Sequence, residues 1–177
     1  MRESDIKQIL SIQAENQREN LPPSRLKDGY LSIAFSADEF HKFNQDLCVV
    51  VAEEENEIIG YCCISSATFN AQFPILDQIV ANVASFPIPE TEDIPVEGKT
   101  CIYGPVCLSA SRRGKGVLRK LSSFGLKIAK GKGYSHCLSF ISAENVRSIK
   151  AHGKLSFQEV GRINQNGNEY IVIGCKL

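Results

Sequence analysis

The run Arg113-Gly114-Lys115-Gly116-Val117-Leu118 is the strongest limit on what this chain can become. It follows an apolar stretch at 102–108 and opens an amphipathic one at 117–129. A strand, a glycine-rich basic turn and a helix in that order make an anion cradle. Glycine lets the backbone turn tightly and approach a ligand without a Cβ in the way. The first amides of the helix have no intrahelical acceptor, and the macrodipole favours negative charge there. Arg112, Arg113 and Lys115 add formal charge. The expected ligand is a phosphate, most simply the diphosphate of a nucleotide-like cofactor. A ligand-free surface turn rich in Gly and Lys has the same composition, so the spelling has to be tested against known cradles.

Two known cradles do not fit. A P-loop needs Lys-Ser or Lys-Thr after its second glycine, and Gly116 is followed by Val117. The dinucleotide fingerprint needs a third glycine where Arg119 stands. A third pattern does fit. Arg113 and Gly116 take the first and fourth positions of Arg/Gln-x-x-Gly-x-Gly/Ala, with Leu118 departing from the sixth. Downstream, the stretch through Phe140, Ile141, Ser142, Ala143, Glu144 and Asn145 reads as a strand entering a helix. Ser148, His152, Leu155, Ser156 and Phe157 follow, close to Asn-x-x-Ala-x-x-x-Tyr-x-x-Leu-Gly-Phe with His at the Tyr position. Together the two segments resemble the cofactor motifs of the GNAT superfamily of N-acetyltransferases.

The resemblance implies a mixed α+β GNAT acyl-CoA N-acyltransferase fold, a central mixed splayed β-sheet flanked by helices. Its two splayed strands correspond to 100–108 and 135–141. It implies acetyl-CoA as acyl donor and no metal. Val106, Cys107 and Leu108 are expected to offer free backbone groups to the pantetheine arm. Arg113, Gly114, Lys115, Gly116, Val117 and Leu118 are expected around the diphosphate, with Asn145, Ser148 and His152 on the next helix. The implied reaction is direct attack by an amine on the thioester. A backbone N–H near Val106 or Cys107 is the expected oxyanion donor. His152 is the expected general acid for the departing thiolate, and Glu97 and Tyr103 are candidates on the acceptor side. The other readings are a catalytically silent acetyl-CoA sensor and a nucleic-acid module using the basic run 112–132. The absence of an aromatic platform beside that run disfavours the latter.

Composition bounds the rest. The 177 residues suit one domain, with an insertion at about 67–99. Formal net charge is zero, so bulk charge calls for neither nucleic acid nor membrane. Seven cysteines without a Cys-x-x-Cys pattern, and three histidines, argue for reduced core thiols in a cytoplasmic protein and against zinc. No apolar run approaches ~18 residues. Between 69 and 98 stand five acidic residues (Asp77, Glu90, Glu92, Asp93, Glu97) and no basic one. That segment is expected to face the acceptor and to favour a cationic small-molecule or peptide amine. Its apolar positions leave both monomer and homodimer open.

Periodicity predicts the elements. A helix is expected over 4–20 with Ser4 as N-cap, ended by Leu21-Pro22-Pro23. Ser36-Ala37-Asp38-Glu39 spells a capping box. Runs at 47–52 and 57–65 read as a hairpin, and 73–86 contains a helix through Ile75, Leu76, Ile79, Val80 and Val83. The cradle helix shows a stripe of Val117, Leu121, Phe124 and Ile128. A helix at about 145–155 and a hairpin of 158–163 with 169–175, turning at Gly167, complete the chain.

Overall fold

The computed structural model describes residues 1–88 and 95–177. In chain order it forms α1 (Ile6–Asn16), α2 (Pro23–Leu26), α3 (Ala37–Asp46), β1 (Cys48–Glu54) and β2 (Glu57–Ser66). Next come α4 (Ala67–Asn70), α5 (Pro74–Ala81), β3 (Thr100–Leu108) and α6 (Val117–Gly131). The chain closes with β4 (His136–Ser142), α7 (Val146–His152), β5 (Gln158–Gln165) and β6 (Asn168–Lys176).

Local chemistry explains most of the ends. Ser36 Oγ accepts the Glu39 N–H at 3.3 Å and the Glu39 carboxylate accepts the Ser36 N–H at 2.7 Å, closing the capping box that starts α3. The expected cap at Ser4 is not used. Ser4 lies inside a short 3-10 turn (Glu3–Asp5), and the Asp5 carboxylate accepts the Arg2 N–H at 2.7 Å. The first helix also ends earlier than expected, at Asn16, whose side-chain amide donates back to the Ile12 carbonyl at 2.7 Å. Pro23 does not follow a helix but opens α2, where its missing N–H is harmless. In α6 the buried face is Leu121, Ser122, Gly125 and Ala129, while Phe124 is 58% exposed, which corrects the expected stripe. A Cβ on Gly125 would lie 3.1 Å from Ile64 Cγ1, so this helix sits close on the sheet through its small residues.

The sheet has the order β1-β2-β3-β4-β6-β5. All neighbours are antiparallel except β3 with β4. That parallel pair holds only where Thr100, Cys101 and Ile102 meet His136, Cys137 and Leu138. Beyond this point β3 runs on to Leu108 and β4 to Ser142, so the two strands part. A register break opposite Cys62 and Ile64, with Gly104 at φ +115°, bends β3 at the start of the gap. Ser139 Oγ donates to the Tyr103 carbonyl at 2.6 Å at the same place.

Core residues alternate across the sheet. Cys62, Ile64, Cys101, Tyr103, Cys137 and Ile173 face α6, with Ile149 and Phe157 on the same side. Val49, Tyr61, Cys63 and Cys107 face α1 and α3. Ile102, Leu138 and Val172 face Ile75, Leu76 and Ile79 of α5. The apolar side of the segment expected as an insertion is therefore buried against this chain's own sheet. All seven cysteines are free and buried. Burial pushes the Cys48 thiol up to about 11 and that of Cys107 up to about 12. No helix among the described residues is long and apolar enough to cross a membrane.

Candidate functional site

The turn after β3 folds as an open cradle. Gly114 and Gly116 take φ of +77° and +81°, the left-handed region that favours glycine. Gly116 is the N-cap residue of α6 and makes no side-chain cap, so the first amides of that helix are left for an outside acceptor. They open onto a cleft of about 490 Å³. Arg113, Arg119, Arg147, Lys150 and Lys154 line it, against a single carboxylate among the described residues, Asp28. Lys150 and Lys154 form no ion pair among the described residues. A cradle of free amides with an excess of cations fits a diphosphate-bearing ligand.

The cleft continues along the free edge of β3. Ser109 N–H donates to the Ile59 carbonyl at 3.0 Å. Hydrogen-bonded pairs alternate along an antiparallel ladder. Cys107 with Tyr61 is then the next bonded pair, while Gly60 with Leu108 and Cys62 with Val106 are not. The backbone groups of Val106 and Leu108 consequently turn away from β2, towards the gap that β4 has left. Those of Cys107 are spent on β2, and its thiol points to α1, 3.9 Å from the Ile12 carbonyl. Of the two expected oxyanion donors, Val106 is the one that faces the gap.

A second cavity, of about 110 Å³, lies deeper in the gap, between β3, β4, the loop at 30–35 and α5. Tyr30, Leu31, Val106, Asn145, Ser148 and His152 line both cavities and mark the throat between them. His152 is buried there, its ring 5.5 Å from that of Tyr103, edge to face. Its Nδ1 lies 2.8 Å from the Ser148 carbonyl, which can only accept, so Nδ1 carries the proton. Nε2 then presents a lone pair and has no hydrogen-bond partner among the described residues. Burial holds the imidazole below its ordinary 6.5, in the neutral form, with only the Ser148 carbonyl opposing. At rest His152 therefore holds one ring proton, on Nδ1 and directed to the Ser148 carbonyl, and lacks the second proton that a resting general acid would carry.

Other expected residues also make bonds within the protein. The Arg113 guanidinium lines the cleft but also braces the protein itself. It donates to the carbonyls of Asp28 and Gly29 and to Asn16 Oδ1. Asn145 donates to the Tyr30 carbonyl at 2.9 Å and accepts the Ser148 N–H at 3.4 Å, capping α7 while holding the same loop. Tyr103 lines the inner cavity, but its hydroxyl turns to Ser122 Oγ, 2.7 Å away beneath α6. Burial raises it well above 10, so the phenol stays protonated. Gly114, Gly116, Leu118 and Ser148 line the cleft, whereas Lys115 and Val117 are not among its walls. Glu90, Glu92 and Asp93 lie outside the described residues, as does the side chain of Glu97.

Sequence reasoning missed the loop at 28–35 and Leu76. Tyr30 OH donates to Ser142 Oγ at 3.2 Å, and Arg18 stacks 5.2 Å over the Tyr30 ring. The only local signal was an aromatic residue after Gly29, which takes φ +87° and where an added Cβ would lie 3.4 Å from Asn145 Oδ1.

The sequence profile described as the Acetyltransferase (GNAT) family matches residues 6–157. Solved structures share the fold at low identity. A ribosomal-protein-alanine N-acetyltransferase from Brucella melitensis is 19% identical with a TM-score of 0.65, over 100% of this chain and 97% of that one. An N-acetyltransferase from Staphylococcus aureus is 20% identical with a TM-score of 0.64, over 99% and 94%. A Salmonella typhimurium protein solved with its cofactor acetyl-CoA is 17% identical with a TM-score of 0.66, over 100% and 91%. No curated protein sequence matches the chain. With its profile, its splayed mixed sheet and its cradle in agreement, the chain belongs to the GNAT acetyltransferase family.

Proposed function

We propose that this protein transfers the acetyl group of acetyl-CoA to a primary amine without a covalent enzyme intermediate. The observation that carries the reading is the pair of cavities joined at one throat, with a cationic amide cradle at one end and a neutral imidazole at the junction. When bound, acetyl-CoA supplies a thioester whose acyl carbon accepts the amine nitrogen and whose sulfur departs with the bonding electrons.

The chain's own groups answer the three needs of that exchange. The amides at Gly114, Gly116 and the start of α6, with Lys150 and Lys154, hold the diphosphate. The outward N–H of Val106 faces negative charge developing on the acyl oxygen, in a site fixed by the sheet before reaction. His152 Nε2 takes the proton that the amine loses as the new N–C bond forms. The resulting imidazolium, destabilised by burial, is a stronger acid than histidine in water. It returns that proton to the leaving sulfur, so base and acid are one residue used in sequence. Cys107 offers no covalent route, since its thiol is protonated and faces the opposite side of the sheet.

The test is a coupled assay with acetyl-CoA and a panel of amines, reading free thiol and acetylated amine together. The two should rise in equal amounts and only when an amine is present. Tight binding of acetyl-CoA with no thiol release for any amine would instead mark a silent sensor.

A further inference from the structure

The inner cavity is poor in charge for a site that handles amines. Its apolar walls are Ile33, Phe35, Phe43, Leu76, Ile102 and Phe140. No Asp, Glu, Lys or Arg lines it among the described residues. Two of its hydroxyls are already spent within the protein: Ser139 donates to the Tyr103 carbonyl and Tyr30 to Ser142. Asp77 is next to Leu76 in sequence but opens onto a separate surface hollow on the far side of α5. Within α5, then, Leu76 and not Asp77 is turned to the cavity.

We infer that the acceptor is a primary amine borne on an apolar, singly branched or monocyclic group, and not a polyamine or aminoglycoside. This rests on the acetyl-transfer reading above and deepens it. An ammonium moved into such walls loses its water and meets no carboxylate among the described residues, so the neutral amine is the form that enters. A polycation has to strip several charges at once. An apolar group gains from the same transfer in proportion to the surface it hides. Size sets the upper bound. The cavity's 110 Å³ is somewhat below the ~150 Å³ of an apolar protein cavity that admits benzene. An isobutyl group fits that space, a phenyl group is at its limit, and a bicyclic group exceeds it. The edge-to-face pair Phe35 and Phe43, with centroids 5.2 Å apart, stiffens one wall and limits its expansion.

The experiment compares kcat/KM for benzylamine, isopentylamine, 2-naphthylmethylamine and spermidine with acetyl-CoA saturating. Benzylamine and isopentylamine should exceed spermidine and the naphthyl amine by roughly 10–200-fold, the discrimination an apolar pocket gives for small changes in fit. Leu76→Ala enlarges the cavity and should shift the naphthyl-to-benzyl ratio upward at least about tenfold. A thermal shift with acetyl-CoA shows that the variant is folded. Ile33→Ala supplies a second enlargement, with the same expected shift, if Leu76→Ala does not fold. Spermidine preferred over every apolar amine overturns the inference and leaves acetyl transfer standing. An unchanged ratio in a folded variant overturns the placement of the acceptor in this cavity. Acetyl-CoA binding without release of thiol for any amine overturns both.

Discussion

Replacing Arg113 with alanine separates two roles that the sequence cannot tell apart. As a diphosphate ligand, Arg113 would matter to the cofactor and little to the free protein. In the structure its guanidinium instead donates to the carbonyls of Asp28 and Gly29 and to Asn16 Oδ1. Hydrogen bonds from a charged donor contribute ~1.5–3 kcal/mol each. One of the three is long, at 3.3 Å, and burial lowers the Arg113 pKa, a sign that desolvation offsets part of the gain. The three bonds share one donor group and are not additive. Arg113→Ala should therefore destabilise the free protein by about 2–4 kcal/mol. For a chain of this length that corresponds to a fall in Tm of roughly 5–15 °C. Urea unfolding of the protein without acetyl-CoA measures it directly. A surface phosphate ligand would move stability by no more than about 0.5 kcal/mol. Unchanged urea stability, together with a hundredfold weaker acetyl-CoA affinity, would refute the structural role.

Four further outcomes are expected. His152→Phe should lower kcat by about 10²–10⁴-fold with the acetyl-CoA KM nearly intact; wild-type kcat/KM should rise with pH through the depressed histidine pKa, and a falling limb near 6.5 that the variant loses would restore the resting-acid role. His152 also makes stability pH-dependent: its folded pKa is below the unfolded value, so the unfolded state binds more protons and stability falls as pH drops from about 6.5 towards the folded pKa, a fall that His152→Phe should reduce in urea titrations. Asn145→Ala removes the cap of α7 and the bond to the Tyr30 carbonyl and should cost about 2 kcal/mol by urea unfolding, with no loss expected only if water replaces both. Gly116→Glu strains a residue at φ +81° and sets a carboxylate at the cradle, so calorimetry should show acetyl-CoA affinity at least about tenfold lower, whereas native affinity would mean the diphosphate lies elsewhere.

Much of the architecture was legible because it depends on short-range chemistry. The capping box at Ser36, the two hairpins and the limits of β3 follow from residues close in sequence. The site was legible as a location but not in its division of labour. Arg113, Asn145 and Tyr103 were read as ligands, and each turned out to be bonded to a group far along the chain. Such partners leave no local trace. Only the ladder phase, fixed by Ser109 and Ile59, distinguishes the outward N–H of Val106 from the paired one of Cys107. The stripe of α6 was misread for a related reason. Helical spacing favours large apolar residues, but close approach to Ile64 brings Gly125 and Ala129 inward and leaves Phe124 outside. The acidic segment was read by its charges, whereas among its described residues Leu76 is the one that reaches the cavity wall.

The central claim is that the throat at Val106 and His152 joins a donor cleft to an acceptor cavity. It is tested most directly by single-turnover mixing of the protein with acetyl-CoA and benzylamine, following free thiol and acetylbenzylamine by mass. The account predicts that both appear together at one rate, that this rate falls about 10²–10⁴-fold in His152→Phe, and that no acetylated protein accumulates. An acetylated protein formed before the amine is added, or full-speed transfer by His152→Phe, would contradict it.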